Sequence, residues 1–306
     1  MKTKLLALVA TLGMVASASA VKINNNLSIN GFIDGSYNLS DGATDTQSVG
    51  IDEVELNFNV NVGGVSGLVA IDNTQDEGVN VEQAHITYSL NDSVSFTFGR
   101  YGSALGFERE DPAGLYTVSR AYDSKTFNLG DVDNNQVEGL TIAYTTDSLT
   151  VAASIEESVA RSSDLEANDL NLEISFAYTG IAGVNIGGGY FFDNQDGANA
   201  ETDVLNLHVS RQFGKLLLAG EYIETQNDAA DQDAYLLLAD YDFSDKLGVA
   251  VRFSNNEQGN DADYEKFTIA PNYAITESLG AILEFSDIDD NEVDSEVYSV
   301  ELTYTF

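Results

Sequence analysis

The sequence EVYSVELTYTF, residues 296–306, decides the fold. Apolar and aromatic residues occupy every second position, at Tyr298, Val300, Leu302, Tyr304 and Phe306, and largely polar residues fill the positions between them. A period of two places successive side chains on opposite faces of a β-strand. This segment is therefore predicted to be a strand that separates an apolar medium from a polar one.

The first twenty residues have the pattern of a secretory signal peptide. Lys2 and Lys4 form a positive segment, residues 5–15 are apolar, and Ala18-Ser19-Ala20 is a small-residue cleavage site. We expect residues 1–20 to be removed and residues 21–306 to form one mature domain. No other stretch approaches the roughly 18 consecutive apolar residues that a spanning helix needs.

Composition excludes several classes of function. The chain contains no Cys, which rules out disulfides and thiolate metal sites. It has 13 Lys and Arg against 50 Asp and Glu, a formal net charge of −37. Binding to nucleic acid is not expected, because a strongly acidic surface repels phosphates. We expect no cofactor.

Alternation of the same kind recurs along the mature chain and predicts about sixteen strands. The connections between them alternate in length. Tight turns such as Gly63-Gly64 and Asn91-Asp92 are typical of antiparallel hairpins, whereas connections such as residues 193–203, 226–233 and 256–263 are longer and rich in Asp, Asn and Gln. The sheet is therefore predicted to have short turns at one end and longer connections at the other.

These features together predict an all-β fold, a transmembrane antiparallel β-barrel with short periplasmic turns and long extracellular loops. A closed barrel pairs every backbone group and exposes no strand edge to lipid. Aromatic residues at both ends of the strands fit two membrane interfaces. The alternative is a soluble secreted sandwich or propeller, but polar runs such as Glu53, Glu55 and Asn57 favour a water-filled interior. Pro271 lies inside a predicted strand, where we expect a bulge or a local break.

The connection that starts at Arg100 is longer than the others, and its composition differs. From residue 100 to residue 125 basic and acidic residues balance, whereas the rest of the chain is acidic. The segment FGRYGSALGFE, residues 98–108, resembles the start of the third extracellular loop of Gram-negative outer-membrane porins. The following Ser119-Arg120-Ala121-Tyr122 resembles a stretch in β-barrel porins of the OmpL-like kind. The signal peptide, strand number and terminal Phe306 extend the resemblance over the whole chain.

The resemblance implies that the third loop folds into the barrel and narrows the pore, and that the protein is a homotrimer. Charges of both signs on such a loop would create a transverse field across the lumen. Our hypothesis is that six loop residues line this constriction: Arg100, Glu108, Arg109, Glu110, Asp111 and Arg120. The alternative is that they form salt bridges within a surface loop.

Acidic residues are also predicted inside the barrel. The two-residue alternation along the predicted strands places seven carboxylates on the face that would line the lumen: Glu53, Glu55, Glu173, Glu221, Asp240, Glu284 and Glu301. A channel lined in this way is expected to prefer cations. Four clustered acidic residues are weak candidates for a Ca²⁺ site, Asp287, Asp289, Asp290 and Glu292, but they lack the full spacing of a known calcium loop.

We therefore predict an outer-membrane porin of a Gram-negative cell, through which ions and small hydrophilic solutes diffuse. Its expected partners are outer-membrane lipid and lipopolysaccharide, small solutes and cations, and further copies of itself. A substrate-selective channel, for example for oligosaccharides, and a structural or adhesive barrel are the alternatives. An enzyme is not predicted, since His85, His208 and Ser210 form no recognisable catalytic motif.

Overall fold

The computed structural model describes residues 20–74, 78–108, 112–122, 136–158, 170–193, 202–227, 231–258, 262–290 and 293–306. Apart from Ala20, the predicted signal peptide lies outside the described residues. The strands in chain order are β1 (Val21–Lys22), β2 (Leu27–Asp41), β3 (Thr46–Val62), β4 (Val65–Thr74), β5 (Gly78–Ser89), β6 (Val94–Gly102), β7 (Gln136–Thr145), β8 (Leu149–Ser158), β9 (Asn171–Ile181), β10 (Val184–Phe192), β11 (Thr202–Phe213), β12 (Leu216–Asn227), β13 (Gln232–Asp242), β14 (Leu247–Gln258), β15 (Ala262–Ala274), β16 (Leu279–Asp290) and β17 (Val293–Thr305).

Sixteen of these strands, β2–β17, form a closed antiparallel barrel in which each strand pairs with its neighbours in sequence. The ring closes between β17 and β2, where Tyr304 lies opposite Ile33. Beyond that ladder, Gly31 and Phe306 exchange two backbone hydrogen bonds of 3.0 Å. The predicted barrel is thus confirmed, and its terminal strand closes it.

The period of two separates the two faces of the wall. On β17 the side chains of Tyr298, Val300 and Leu302 are 42–49% exposed on the bare outer surface, whereas Ser299 and Glu301 are 4–6% exposed inside. Burial of the polar set is explained by the curvature of the barrel, which crowds inward side chains together. An apolar outer face of this kind is the surface expected of a barrel wall that faces lipid.

The two ends of the barrel differ, as predicted. At one end the strands are joined by short turns, for example Gly63-Gly64 between β3 and β4. Both glycines have positive φ, 59° and 87°, which a two-residue hairpin turn requires and other residues rarely adopt. At the opposite end, residues 103–135 separate β6 from β7. That connection is the third at its end, as predicted.

The strands run further than the sequence indicated. The ends of β12, β13, β14 and β15 extend into the expected connections at 226–233 and 256–263, over residues 226–227, 232–233, 256–258 and 262–263. Acidic, polar sequence is typical of a loop, but backbone pairing with a neighbouring strand continues regardless of side-chain polarity. The short β1 is also additional: it pairs with β2 through Val21 opposite Ile29, in line with the end of β17.

Pro271 interrupts the ladder on one side only. On the β14 side it lies opposite Val249 without a break. On the β16 side the pairing passes from Ile269 to Asn272 with no change of register. The effect is a local break without a bulge, because proline has no N–H to donate.

Helices contribute little to this fold. Within the described ranges, no helix has the length and apolar character to cross a membrane. A single turn of 3₁₀-helix, Pro112–Gly114, lies in the connection between β6 and β7.

Candidate functional site

The connection between β6 and β7 lies against the inner wall of the barrel, and its described residues, 103–108 and 112–122, are here named L3. Its first limb follows the wall from β9 to β12. Ser103 Oγ donates to Glu173 Oε2 (2.5 Å), and Ala104 N donates to Glu173 Oε1 (3.1 Å). Phe107 N donates to Glu221 Oε1 at 2.6 Å. Inward carboxylates of the strands therefore satisfy backbone donors that a loop would otherwise leave unpaired.

Apolar packing holds the same limb. Leu105 is 1% exposed and packs in a cluster with Phe191, Val204, Ile223 and Ala234. Gly189 on β10 makes room for it, because a Cβ there would lie 2.8 Å from Leu105 Cδ2. Gly187 and Gly189, the two glycines of β10 with inward parity, thus leave a flat inner surface on which the loop can lie close to the wall.

The tip of L3 lies beside the last three strands of the barrel, β15–β17. The 3₁₀ turn is capped by Leu115 N, which donates to Pro112 O at 3.1 Å. Pro112, Ala113 and Leu115 line a small cavity together with residues of β15, β16 and β17, including Thr303. The tip is therefore supported at a place far along the ring from the strand where the loop begins.

The returning limb is held by one arginine of the wall. Arg252 on β14 is completely buried, and its Nη1 forms an ion pair with Glu108 Oε1 at 2.7 Å. The same guanidinium donates to Thr117 Oγ1 (2.7 Å), to the carbonyls of Ser119 (2.8 Å) and Arg120 (2.9 Å), and to Ser119 Oγ at 3.3 Å. A planar fork with five donors suits such convergent acceptors. Arg252 thereby joins both limbs of L3 to the wall.

Ser119 is the second attachment point. Its N and Oγ donate to the two oxygens of Glu284 on β16, at 3.1 and 2.5 Å. Lys266 on β15 donates to Ser119 Oγ (2.5 Å) and to Arg120 O (3.2 Å). On β14, Ser254 Oγ donates to Ala121 O at 2.6 Å. Two cations and one carboxylate of the wall thus meet a short stretch of loop backbone.

An apolar area of the inner wall lies beneath the returning limb. Tyr116 and Ala121 pack into a buried cluster. The wall residues of this cluster are Leu217, Ala219, Leu236, Leu238, Ala250 and Ala270. Leucines on the inner face of a water-filled barrel would be unfavourable if left bare, so this cluster acts as a seat for the loop.

Tyr122 packs against both apolar clusters, and its hydroxyl also makes a polar contact with the wall. Its hydroxyl donates to Glu221 Oε2 at 3.5 Å. Burial, followed by the nearby Glu221 and Glu108 carboxylates, raises the pKa of the Tyr122 phenol. The phenol therefore stays protonated and remains a donor to Glu221.

The predicted constriction residues have different positions. Glu108 is 7% exposed and faces the wall, since Arg252 holds one of its oxygens and Ala121 N donates to the other at 2.7 Å. Arg120 is exposed, and its Nη1 donates to the main-chain oxygen of Glu108. Arg100 lies near the end of β6, with its Nε buried and without a hydrogen-bond partner among the described residues. Arg109, Glu110 and Asp111 lie outside the described residues.

The seven predicted lumen carboxylates fall into two groups. Glu173, Glu221 and Glu284 are the acceptors that hold L3. The others do not take part in the loop contacts given above: Glu55, Asp240 and Glu301 are buried on the inner face, and Glu53 is half-buried opposite Asp34. Four further acidic residues that sequence reasoning missed are buried on the same inner face, Asp34, Asp72, Glu82 and Glu156.

Arg252 and Lys266 were also missed. Both occupy strand positions of inward parity, in a chain with few basic residues. That combination was visible in the sequence: a buried cation inside a barrel needs an anionic or carbonyl partner, and a loop folded inward supplies one. Leu236 and Leu238 were a similar signal in the sequence, because their inward parity makes them exceptions to the polar pattern of the lumen face.

The weak calcium candidates lie on the rim. Asp287 and Asp289 are exposed on β16, Asp290 ends that strand, and Glu292 lies outside the described residues. Across the part of the chain that the structure describes, no three His, Asp or Glu side chains are grouped to hold a metal ion.

The histidines occupy ordinary packing positions. His85 contacts Tyr101 edge to face, with ring centroids 6.4 Å apart. His208 lies beside Phe107 at 5.9 Å, and the neighbouring Ser210 accepts a hydrogen bond from Asn185 at 3.3 Å. Ser210 is thus engaged with an amide rather than with a histidine.

Comparison with known proteins agrees with this architecture. Among solved structures the chain is similar to OmpF of Salmonella typhi in complex with daunomycin (TM-score 0.70, 13% identity, 94% of this chain and 100% of that chain). It is also similar to the anion-selective porin of Comamonas acidovorans (0.68, 14%, 92% and 99%). A third relative in fold is in-vitro folded OmpT of Vibrio cholerae in its trimer form (0.62, 14%, 92% and 100%). No curated protein matches the sequence.

The family comparison covers nearly the whole barrel. Residues 34–301 match the model described as "Putative beta-barrel porin-2, OmpL-like". This span runs from the closing strand β2 to the last strand and includes all of L3. The chain therefore belongs to the OmpL-like family of β-barrel porins, a porin-like channel of the outer membrane.

Proposed function

We propose that the channel conducts ions and small hydrophilic solutes by passive diffusion and prefers cations. The observation that supports this most is the excess of acid on the inner face, where the described residues include ten buried carboxylates and two buried cations. The two buried wall cations, Arg252 and Lys266, are engaged by L3. Acidic side chains occupy the inner face of β17 and β2–β5.

The acidic inner face is defined by five buried residues and is here named the bare wall: Asp34, Glu55, Asp72, Glu82 and Glu301. The hydrogen bonds of L3 to the wall given above all go to β9–β16, here named the clad wall. A permeating ion therefore passes between L3 and a surface of carboxylates. Fixed negative charge along one side of a narrow path attracts cations and retards anions.

The remaining predictions accompany this proposal. We infer that residues 1–20 are removed on export, that the outer face contacts lipid and lipopolysaccharide, and that the protein assembles as a homotrimer. The trimer form of one structural relative supports the last point. Catalysis is not part of the proposal, and neither is an aromatic sugar path, because Tyr116 and Tyr122 pack against the clad wall.

Planar-bilayer recording of the purified protein tests the proposal. Discrete conductance steps are expected, with a reversal potential of cation sign in a KCl gradient. Liposome swelling with solutes of increasing size should show uptake that falls as solute size rises. Absence of conductance contradicts the channel, and an anion-sign potential contradicts the cation preference while leaving the channel intact.

A further inference from the structure

Exposed basic residues are grouped on one part of the outer surface. At the short-turn end of the barrel, the described residues include four exposed Lys and Arg side chains, and three of these lie at or beside two consecutive turns. Arg211 lies near the end of β11, Lys215 in the turn after it, and Lys246 in the turn between β13 and β14. The fourth, Lys22, is separate from them on β1. Arg211, Lys215 and Lys246 are here named the basic cluster, an exception on a chain with a formal net charge of −37.

Arg211 lies on the outer side of the wall among apolar side chains. Directly opposite it are Val184 on β10 and Leu218 on β12. Two residues away on its own strand are Val209 and Phe213, which are 46% and 48% exposed, and its guanidinium lies over the Phe213 ring at 4.5 Å. Within the described ranges, the guanidinium forms no ion pair or hydrogen bond with the protein. Its five N–H donors are therefore available at the level where lipid headgroups lie.

The two lysines of the basic cluster are held at the level of the turns. Lys215 Nζ donates to Phe243 O at 3.0 Å, and Lys246 Nζ donates to Ile275 O at 3.3 Å. One carbonyl uses one of the three ammonium protons, so each lysine keeps donors for a ligand. Phe243 and Ile275 are 56% and 39% exposed. These contacts therefore hold both ammonium groups at the edge of an apolar surface.

Carboxylates in these turns do not neutralise the basic cluster. Asp245 and Glu277 are the exposed acidic residues of the turns that contain or adjoin its lysines, and within the described residues neither forms an ion pair with them. Asp242 has inward parity, since it follows the outward Tyr241. Counting Asp245 and Glu277 against three cations leaves an excess of one positive charge. A phosphodiester carries one negative charge, so the two match.

Apolar side chains continue from the basic cluster toward the middle of the wall. Leu207, Leu218 and Leu237, on the outer face of β11–β13, are 44%, 42% and 61% exposed. Acyl chains cover a surface of this kind, whereas a soluble anion does not. A row of phosphate-binding donors beside an apolar wall therefore fits an amphipathic ligand, with its headgroup at the turns and its chains along the strands.

The loop end of the same strands has the opposite charge. On the outer face, Glu224 lies opposite Asp233, which in turn lies opposite Glu257. Carboxylates at this end repel a lipid phosphate, whereas the basic cluster at the other end attracts one. The strands β11–β14 therefore distinguish the two leaflets of a membrane by charge.

We propose that the basic cluster binds the phosphodiester headgroup of an anionic phospholipid, in the leaflet at the short-turn end of the barrel. Arg211 donates to the phosphate through the planar fork of its guanidinium, a geometry that suits phosphate oxygens. Lys215 and Lys246 attract the same charge from the turns, and the acyl chains lie against the apolar surface beside them. The inference goes beyond the general lipid contact proposed for the outer face, because it names a sector, a leaflet and a headgroup chemistry.

Native mass spectrometry of the full mature protein in detergent tests the proposal. The probes are phosphatidylglycerol and, with the same acyl chains, zwitterionic phosphatidylcholine. We expect wild type to bind phosphatidylglycerol at least about fivefold more tightly, since each Lys or Arg near an anionic lipid contributes roughly fivefold in affinity. By the same reasoning, the double variant Arg211→Met, Lys215→Gln should bind it about 25-fold more weakly. Arg211→Lys keeps the charge and should lose much less.

Lys22→Gln is the matched control for these variants. It removes an exposed cation at the same end of the barrel but outside the basic cluster. Its binding of phosphatidylglycerol should equal that of wild type.

Several results of this experiment would overturn the proposal. Equal binding of the two lipids by wild type excludes the headgroup preference. Wild-type binding by the double variant excludes the basic cluster as the site, and an equal loss in Lys22→Gln assigns the attraction to overall charge. Inorganic phosphate in molar excess should not displace the lipid, and displacement would assign the site to a free anion. None of these results bears on conductance, so the inference and the proposed function are tested separately.

Fluorescence quenching provides a second measurement that does not depend on removing a charge. The chain has no Trp, so Val209→Trp places a single reporter beside Arg211, and Ile142→Trp places one on β7. Both positions are 46% exposed on the outer face. In vesicles that contain both lipids, phosphatidylglycerol brominated on its acyl chains should quench Val209→Trp at least about twofold more than Ile142→Trp, because the basic cluster concentrates the anionic lipid. Equal quenching of the two reporters contradicts the proposal.

Discussion

The clad wall and the bare wall enclose the same lumen, but their inner faces differ in composition. The clad wall contains inward leucines, the glycines of β10, and the cations Arg252 and Lys266, all of which contact L3 or make room for it. The bare wall carries carboxylates such as Glu55, Asp72 and Glu301. The difference shows that one side of the barrel binds the loop, whereas the inner face of the other side is acidic. In the proposed function, L3 narrows the lumen from one side and the carboxylates of the other side select cations.

The largest effect is expected from removing the arginine that holds L3. Arg252→Met deletes the partner of Glu108 and the donors to Thr117 and Ser119. Breaking a buried pair by removing one partner costs about 3–5 kcal/mol. We expect L3 to detach from the clad wall, with a rise in single-channel conductance and in current noise.

Arg211→Met is the matched control, because Arg211 lies over the ring of Phe213 at 4.5 Å on the exposed outer face. Its conductance should equal that of wild type. If Arg252→Met also leaves conductance and noise unchanged, the clad wall does not hold the constriction.

The apolar seat should give the next largest effect. Leu236 is fully buried against L3, whereas its neighbour Leu237 is 61% exposed on the outer face. Leu236→Ala is expected to lower the free energy of unfolding by about 2–5 kcal/mol, since it leaves a cavity beneath the loop. Urea unfolding in detergent measures this change. Leu237→Ala should cost clearly less, and equal losses at the two positions would contradict the seat.

Neutralising the bare wall should change selectivity with little effect on stability. The combined variant Glu55→Gln, Asp72→Asn and Glu301→Gln removes three carboxylates from the cation path. We expect the reversal potential in a KCl gradient to move toward zero, and more so at low salt, where screening is weak. Asp245→Asn, at an exposed tight turn, serves as the control. If the reversal potential of Asp245→Asn moves by the same amount, the effect comes from the overall charge of the protein and not from the carboxylates of the bare wall.

The smallest effect concerns the exposed edge of L3. The carbonyl of Arg120 is held by Arg252 and Lys266, whereas its side chain is exposed and donates to the main-chain oxygen of Glu108. Arg120→Gln should therefore leave the loop in place and increase the cation preference slightly, by less than about twofold, because an exposed charge is largely screened. Arg120→Lys should behave like wild type. A large change in conductance with Arg120→Gln would mean that this side chain also positions the loop.

Much of the fold could be predicted from the sequence, because a barrel wall between unlike media imposes its period on every strand. The alternation from Tyr298 to Phe306 gave the correct faces of β17 and its role in closing the ring. Strand ends were harder to predict. The acidic segments at 226–233 and 256–263 have loop composition, yet cross-strand backbone pairing extends into both of them, to Asn227 and Gln258 on one side and from Gln232 and Ala262 on the other.

The site was predicted in part. Its position in the third loop followed from connection length and from the resemblance to porins. The partners of the loop could not follow from those signals, since they depend on which strands L3 touches after folding inward. Glu108 was expected to face the pore, and the structure places its carboxylate against Arg252. Parity analysis of the few basic residues would have found Arg252 and Lys266 as inward cations that needed partners.

The reversal potential of single wild-type channels in a KCl gradient tests the central claim most directly. A channel narrowed by L3 and bordered by the carboxylates of the bare wall predicts a potential of the sign given by K⁺ permeating faster than Cl⁻. An anion-sign potential, or a membrane in which the folded protein opens no channel, would contradict this account.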